Sequence, residues 1–150
     1  METVFNVLHV VSAVFIVGPM AVLPQTALRA LRADHREQVA TLAKSTNIFS
    51  LLSLLVVVLG FGVMGMADEK YGLSFTTPWI LWSVILYVIA LGLNLFFVVP
   101  ALNKAAAESH GADGSVAAGG RPSGYGAIAA GSGIVSLLLV VVVVLMVWKP

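Results

Sequence analysis

The chain has 150 residues, 59% of them hydrophobic and only 10% charged, with a net charge of +1 and no cysteine. A soluble domain of this size carries about a quarter charged residues, so most of this surface must face lipid. The lack of cysteine excludes thiolate metal sites, thiol redox chemistry and disulfides.

Four apolar runs are each long enough to cross a bilayer, which takes about 20 residues. They cover approximately residues 4–24, 46–66, 78–99 and 126–148. Their length and lack of in/out alternation predict transmembrane helices rather than barrel strands. The first run, FNVLHVVSAVFIVGPMAVLP, has no basic leader and no small-residue cleavage motif after it, so it reads as a retained helix. The expected architecture is an all-α, integral membrane four-helix bundle, one transmembrane domain over 1–150.

Arg29, Arg32, Arg36 and Lys44 follow the first run, and Lys104 and Arg121 follow the third. The other side has only Lys70 and Lys149. Basic residues mark cytoplasmic segments, which predicts cytoplasmic loops at 25–45 and 100–125 and both termini outside the cytoplasm of a bacterial plasma membrane. The few basic residues are explained by topology, and no nucleic-acid partner is expected.

The halves of the chain resemble each other. VLPQTAL (22–28) and VVPALNKA (98–105) each set a proline at the inner mouth, and SLLVVVLGFGVM (53–64) matches SLLLVVVVVLMV (136–147). That pattern suits a parallel 2+2 repeat about an axis along the membrane normal. The stretch 106–126 has a linker composition. In 67–79, Pro78 suits a first helical position. Tyr71, Trp79, Trp82 and Trp148 suit an interfacial aromatic belt.

No Asp, Glu, Lys or Arg lies inside a span, which argues against a pump or antiporter. Nucleophile, Walker and HExxH motifs are missing. The polar residues left inside the spans fall on helical faces. Asn6, His9 and Ser12 are three apart, Ser83, Tyr87 and Asn94 are four and seven apart, and Thr46, Ser50, Ser53 and Gly60 form a stripe. A second stripe is Gly126, Ala130, Gly133 and Ser136. The expected helix-packing polar face is Asn6, Ser12, Ser53, Tyr87, Asn94 and Ser136, since such residues bond across helix contacts. His9 is either another packing residue or a cofactor ligand, because a neutral imidazole nitrogen binds iron well. His35 and His110 lie in the opposite loops, so a bis-His haem b site would need a second copy or a partner. Met64 and Met66 are the alternative ligands within the chain.

The first helix, LHVVSAVFIVGPMAVLP (8–24), resembles that of a family of uncharacterised bacterial four-helix membrane proteins. Its LH…G…LP pattern is also similar to the opening helix of membrane protoporphyrinogen oxidase and copper-resistance D proteins. That likeness implies a haem- or metal-binding role for His9. The continuation QTALRALRADH departs from the oxidase pattern, and no later span contains a histidine. The expected function is a non-catalytic accessory or structural subunit of a larger membrane complex, a respiratory one being the natural instance. Lipids and other membrane subunits are then its partners. The alternatives are a haem- or copper-linked redox protein using His9, and a transporter of an uncharged or lipid-like substrate with a cavity near Asn94.

Overall fold

The computed structural model describes residues 2–66, 74, 76–108 and 124–149. Four helices are long and apolar enough to span a membrane: α1 (Thr3–Arg32), α2 (Arg36–Met66), α3 (Pro78–Ala107) and α4 (Tyr125–Trp148). No strand occurs among the described residues. Four antiparallel helices in sequence put both chain ends at one end of the bundle, here the terminal end. Arg29, Arg32, Arg36, Lys44 and Lys104 gather at the other, the basic end.

The helices overrun the expected spans. The segment 25–45, expected as a loop, is helical except for the turn at 33–35, and α3 runs past Val99 to Ala107. Charge suggested loops there, but the charges ride on helices whose other face is apolar. Ala27, Leu28, Ala30 and Leu31 of α1 are buried with Val39 and Ala43 of α2 and with Leu102, Ala105 and Ala106 of α3. At 30 residues, α1 rises about 45 Å against a hydrocarbon core of about 30 Å. The remainder is a helical extension carrying the basic residues. The expected linker lies mostly outside the described residues, as do Lys70, Tyr71, His110 and Arg121.

The α1–α2 turn is closed by main-chain bonds from Asp34 to Leu31 (3.3 Å) and from His35 to Ala30 (3.0 Å). This is the Schellman pattern, which needs a left-handed residue after the helix. Asp34 supplies it at φ 58° and pairs with Arg36. Arg32 caps the same end from α1, its guanidinium 4.9 Å from the centre of the Tyr125 ring on α4.

Two helices contain a π-helical turn, at Ala13–Val17 in α1 and Asn94–Val98 in α3. In each, the next amide reaches back five residues, Gly18 to the Ala13 carbonyl and Val99 to the Asn94 carbonyl. A proline follows at once, Pro19 or Pro100. Proline has no N–H and its ring crowds the carbonyl four residues back; the wider turn relieves the crowding. Pro100 therefore interrupts α3 without ending it, and Pro24 lies buried inside a continuing helix.

The helices do not close equally along their length. Gly18–Arg32 packs on α2, on α4 and on Val99–Ala107, and Val99–Ala107 packs on α2, so the basic end is organised around this half of α1. Towards the terminal end, Glu2–Ser12 packs on α2, and Pro78–Leu93 packs on α4. There the bundle is two pairs, α1–α2 and α3–α4. Trp82 and Trp148 stand exposed near this end.

Candidate functional site

Three polar clusters occupy the spans, each built by small residues that bring helices close. The first joins α1 to α2. His9 lies half-buried with its Nδ1 2.9 Å from the Val56 carbonyl. A carbonyl only accepts, so Nδ1 carries the proton, and in the neutral ring Nε2 is left with a lone pair. The ring fits because residue 60 is glycine: a β-carbon there would come within 2.8 Å of His9 Cε1. Gly62 receives the Phe5 ring in the same way, at 3.2 Å.

Asn6 and Ser12, expected on the packing face with His9, do not share its role. Asn6 is exposed and Ser12 half-buried. A three-residue step turns a helix about 60° from the starting direction, enough to move Asn6 off a contact this narrow. Met64 lies one turn beyond Gly60, and Met66 is exposed. His35 is exposed in the turn at the basic end. No group of three or more His, Asp or Glu able to hold a metal ion is found among the described residues.

The second cluster is a seam between α2 and α3. Thr46, Ser50, Ser53, Ser83 and Asn94 are fully buried, and the expected spacing does place Tyr87 and Asn94 on one inward face. Asn94 Nδ2 donates to Ser50 Oγ (2.9 Å), and the Tyr87 and Ser53 hydroxyls are 2.6 Å apart. A midplane cavity at Asn94, which a transporter would use, is not what surrounds it: Asn94 is closed in with no exposed surface.

The third cluster joins α1 to α4. Gln25 Nε2 donates to Ser132 Oγ (3.3 Å), and Ser136 Oγ donates to the Ala21 carbonyl (2.9 Å). Gln25 and Ser132 escaped the sequence reading. Gln25 follows Pro24, where the span was expected to end, although a glutamine one residue past a helix-internal proline was the available signal. The small stripe on α4 also differs from expectation. Gly126 and Ala130 are exposed, and Gly131 and Ser132 are the buried pair. The Leu/Val run of α4 is too uniform to mark which side packs.

The clusters match in kind across the halves. An amide on an odd helix donates to a serine on an even helix of the other half: Asn94 to Ser50, and Gln25 to Ser132. The π turn and the proline after it recur in α1 and α3, but Gln25 lies six residues after Pro19 and Asn94 six before Pro100, so the two amides do not stand at equivalent positions.

Geometry thus defines a multi-pass integral membrane protein, a four-helix bundle held by neutral hydrogen-bonded contacts. The chain belongs to the family described as predicted integral membrane protein (DUF2269), whose model matches residues 3–150. Comparison with curated proteins and with solved structures gives no match.

Proposed function

We propose that this protein is a non-catalytic accessory subunit of a larger membrane complex of the bacterial plasma membrane, a respiratory complex being the natural host. The observation that supports this reading is the chemistry of the interior. Among the described residues the fully buried polar side chains are hydroxyls and one amide, Thr46, Ser50, Ser53, Ser83, Asn94 and Ser132. Carboxylates, amines and imidazoles, the groups that move protons or bind ions within a membrane, are not among them. Such an interior holds helices together and leaves the outer surface as the working part. That surface is broad and apolar, with Val14, Phe15, Phe96, Leu137 and Val147 all more than 60% exposed. Purification from the native membrane in mild detergent tests the reading. A stoichiometric partner is expected; migration of this chain alone counts against it.

One observation favours a second reading, a haem- or copper-linked redox protein. Metal-ligating histidines usually donate their other ring N–H to a carbonyl or carboxylate, and His9 does so to Val56. Its Nε2 is then the ligand atom, and iron or copper bound there would supply electron transfer. The second ligand would come from another copy or from a partner. An absorption spectrum with elemental analysis decides this: with no Soret band and no bound metal, the reading fails.

A further inference from the structure

The cations at the basic end are not equally engaged. Arg36 pairs with Asp34, Lys104 lies 3.7 Å from Glu108, and Arg32 stands on the Tyr125 ring. Arg29 and Lys44 are exposed, and among the described residues neither meets a carboxylate. The other described carboxylate at this end is Glu37, seven residues before Lys44 and so about 10 Å farther out along α2.

Both free cations continue faces that the bundle turns to lipid. On α1, Arg29 follows the exposed Val22 by seven residues, two helical turns. On α2, Lys44 leads the exposed Ile48, Leu51 and Leu55, which share its side at spacings of four, seven and eleven. Their depth follows from the helix rise. From Trp148, an exposed aromatic suited to the interface, α4 rises about 35 Å to Tyr125, about 5 Å past a hydrocarbon core of about 30 Å. Arg32 stands on that ring, and Arg29 lies one turn, about 4.5 Å, nearer the core. On α2, the rise from Met66 back to Lys44 is about 33 Å. Each free cation therefore sits on a lipid-facing surface at the edge of the hydrocarbon, where lipid phosphates begin.

We propose that Arg29 and Lys44 are contact points for anionic phospholipid headgroups, which gives the protein a selected lipid shell at its basic end. Arginine takes a phosphate with two parallel N–H donors, and lysine takes it as a point charge. Their stems lie along the apolar faces below while the charged heads reach the phosphates. A headgroup with net negative charge gains from this where a zwitterionic one does not, by about fivefold for each cation near the surface.

Electron spin resonance on the full chain in mixed bilayers tests this, with chain-labelled phosphatidylglycerol and phosphatidylcholine as probes. Phosphatidylglycerol should associate with the protein several-fold more strongly than phosphatidylcholine, and equal association would overturn the proposal. Arg29→Gln and Lys44→Gln should each lower the preference by about half. Lys104→Gln removes the same charge from a cation that Glu108 already pairs, so its effect should be small; an equal or larger loss there would overturn the assignment. Inorganic phosphate should not displace the labelled lipid, and displacement would identify a free-anion site instead. The ratio for the unmodified chain is decisive by itself, so the test does not depend on a variant that folds.

Discussion

The His9 imidazole occupies the side-chain space that Gly60 leaves empty, with the carbonyl of Val56, one turn before that glycine, accepting its Nδ1 proton at 2.9 Å. The two residues are halves of one contact, and they should behave as such. Gly60→Ala gains about 1 kcal/mol of helix propensity but forces the ring aside, a misfit that typically costs about 1–3 kcal/mol. A net destabilisation of about 1 kcal/mol is expected. With His9→Ala in place, the same substitution should become neutral or stabilising. A double-mutant cycle by reversible unfolding in detergent measures the coupling; additive effects would show that the ring does not occupy this space.

Two glycines on α4, two residues apart, make opposite predictions. A β-carbon at Gly131 would lie 2.9 Å from the Phe97 ring and 3.3 Å from Val98, whereas nothing lies within 4 Å of one at Gly133. Gly133→Ala should stabilise the helix by up to about 1 kcal/mol. Gly131→Val should lower stability by about 2 kcal/mol or more, because the buried Val98 cannot move away as the half-exposed Phe97 can. Thermal unfolding of both variants checks the order, and equal effects would place the α3–α4 contact elsewhere.

The π turns make a prediction about chain length. A π turn holds one residue more than the α-helix needs, so removing Leu95 should restore α-helix and keep both flanking faces in place. Removing Ile89 instead turns Pro78–Val88 by about 100° against the rest of α3 and carries Tyr87 away from Ser53. Deletion of Leu95 should therefore still fold, with a loss of about 3 kcal/mol for returning Pro100 to a regular helix interior, and deletion of Ile89 should not give a stable bundle. Circular dichroism melts distinguish them; equal tolerance would sink the argument.

Sidedness can be read chemically because the chain has no cysteine. The basic residues predict the termini outside. Single cysteines at Thr3 and Lys149 should react with an impermeant maleimide on intact cells, and those at Gln38 and Asn103 only after permeabilisation. The inverse pattern would reverse the orientation.

What could be read from the sequence followed from what hydrocarbon demands. Twenty apolar residues have few alternatives to a spanning helix, and the seven-residue spacing of Tyr87 and Asn94 was enough to align them. The ends of the helices were obscured because charge density reads the same on a loop as on the solvated face of a helix. Leu28, Leu31, Val39 and Ala43 carried the contrary signal. Which glycine received His9 was not legible, since Gly60, Gly62 and Gly65 sit in similar surroundings and only the register of α1 against α2 separates them. The packed side of α4 was one residue off for a related reason: the Val/Leu run around Gly131 gives neither side an advantage.

The unequal closure of the bundle gives it mechanical polarity. At the basic end Gly18–Arg32 of α1 is braced by α2, by α4 and by Val99–Ala107 of α3. Among the described residues, the side-chain bond joining the two pairs nearest the terminal end is Tyr87 on Ser53. A load applied at the terminal end would meet two separate pairs, and one applied at the basic end a helix held on three sides. The Tyr87 hydroxyl is thus the latch between the two pairs.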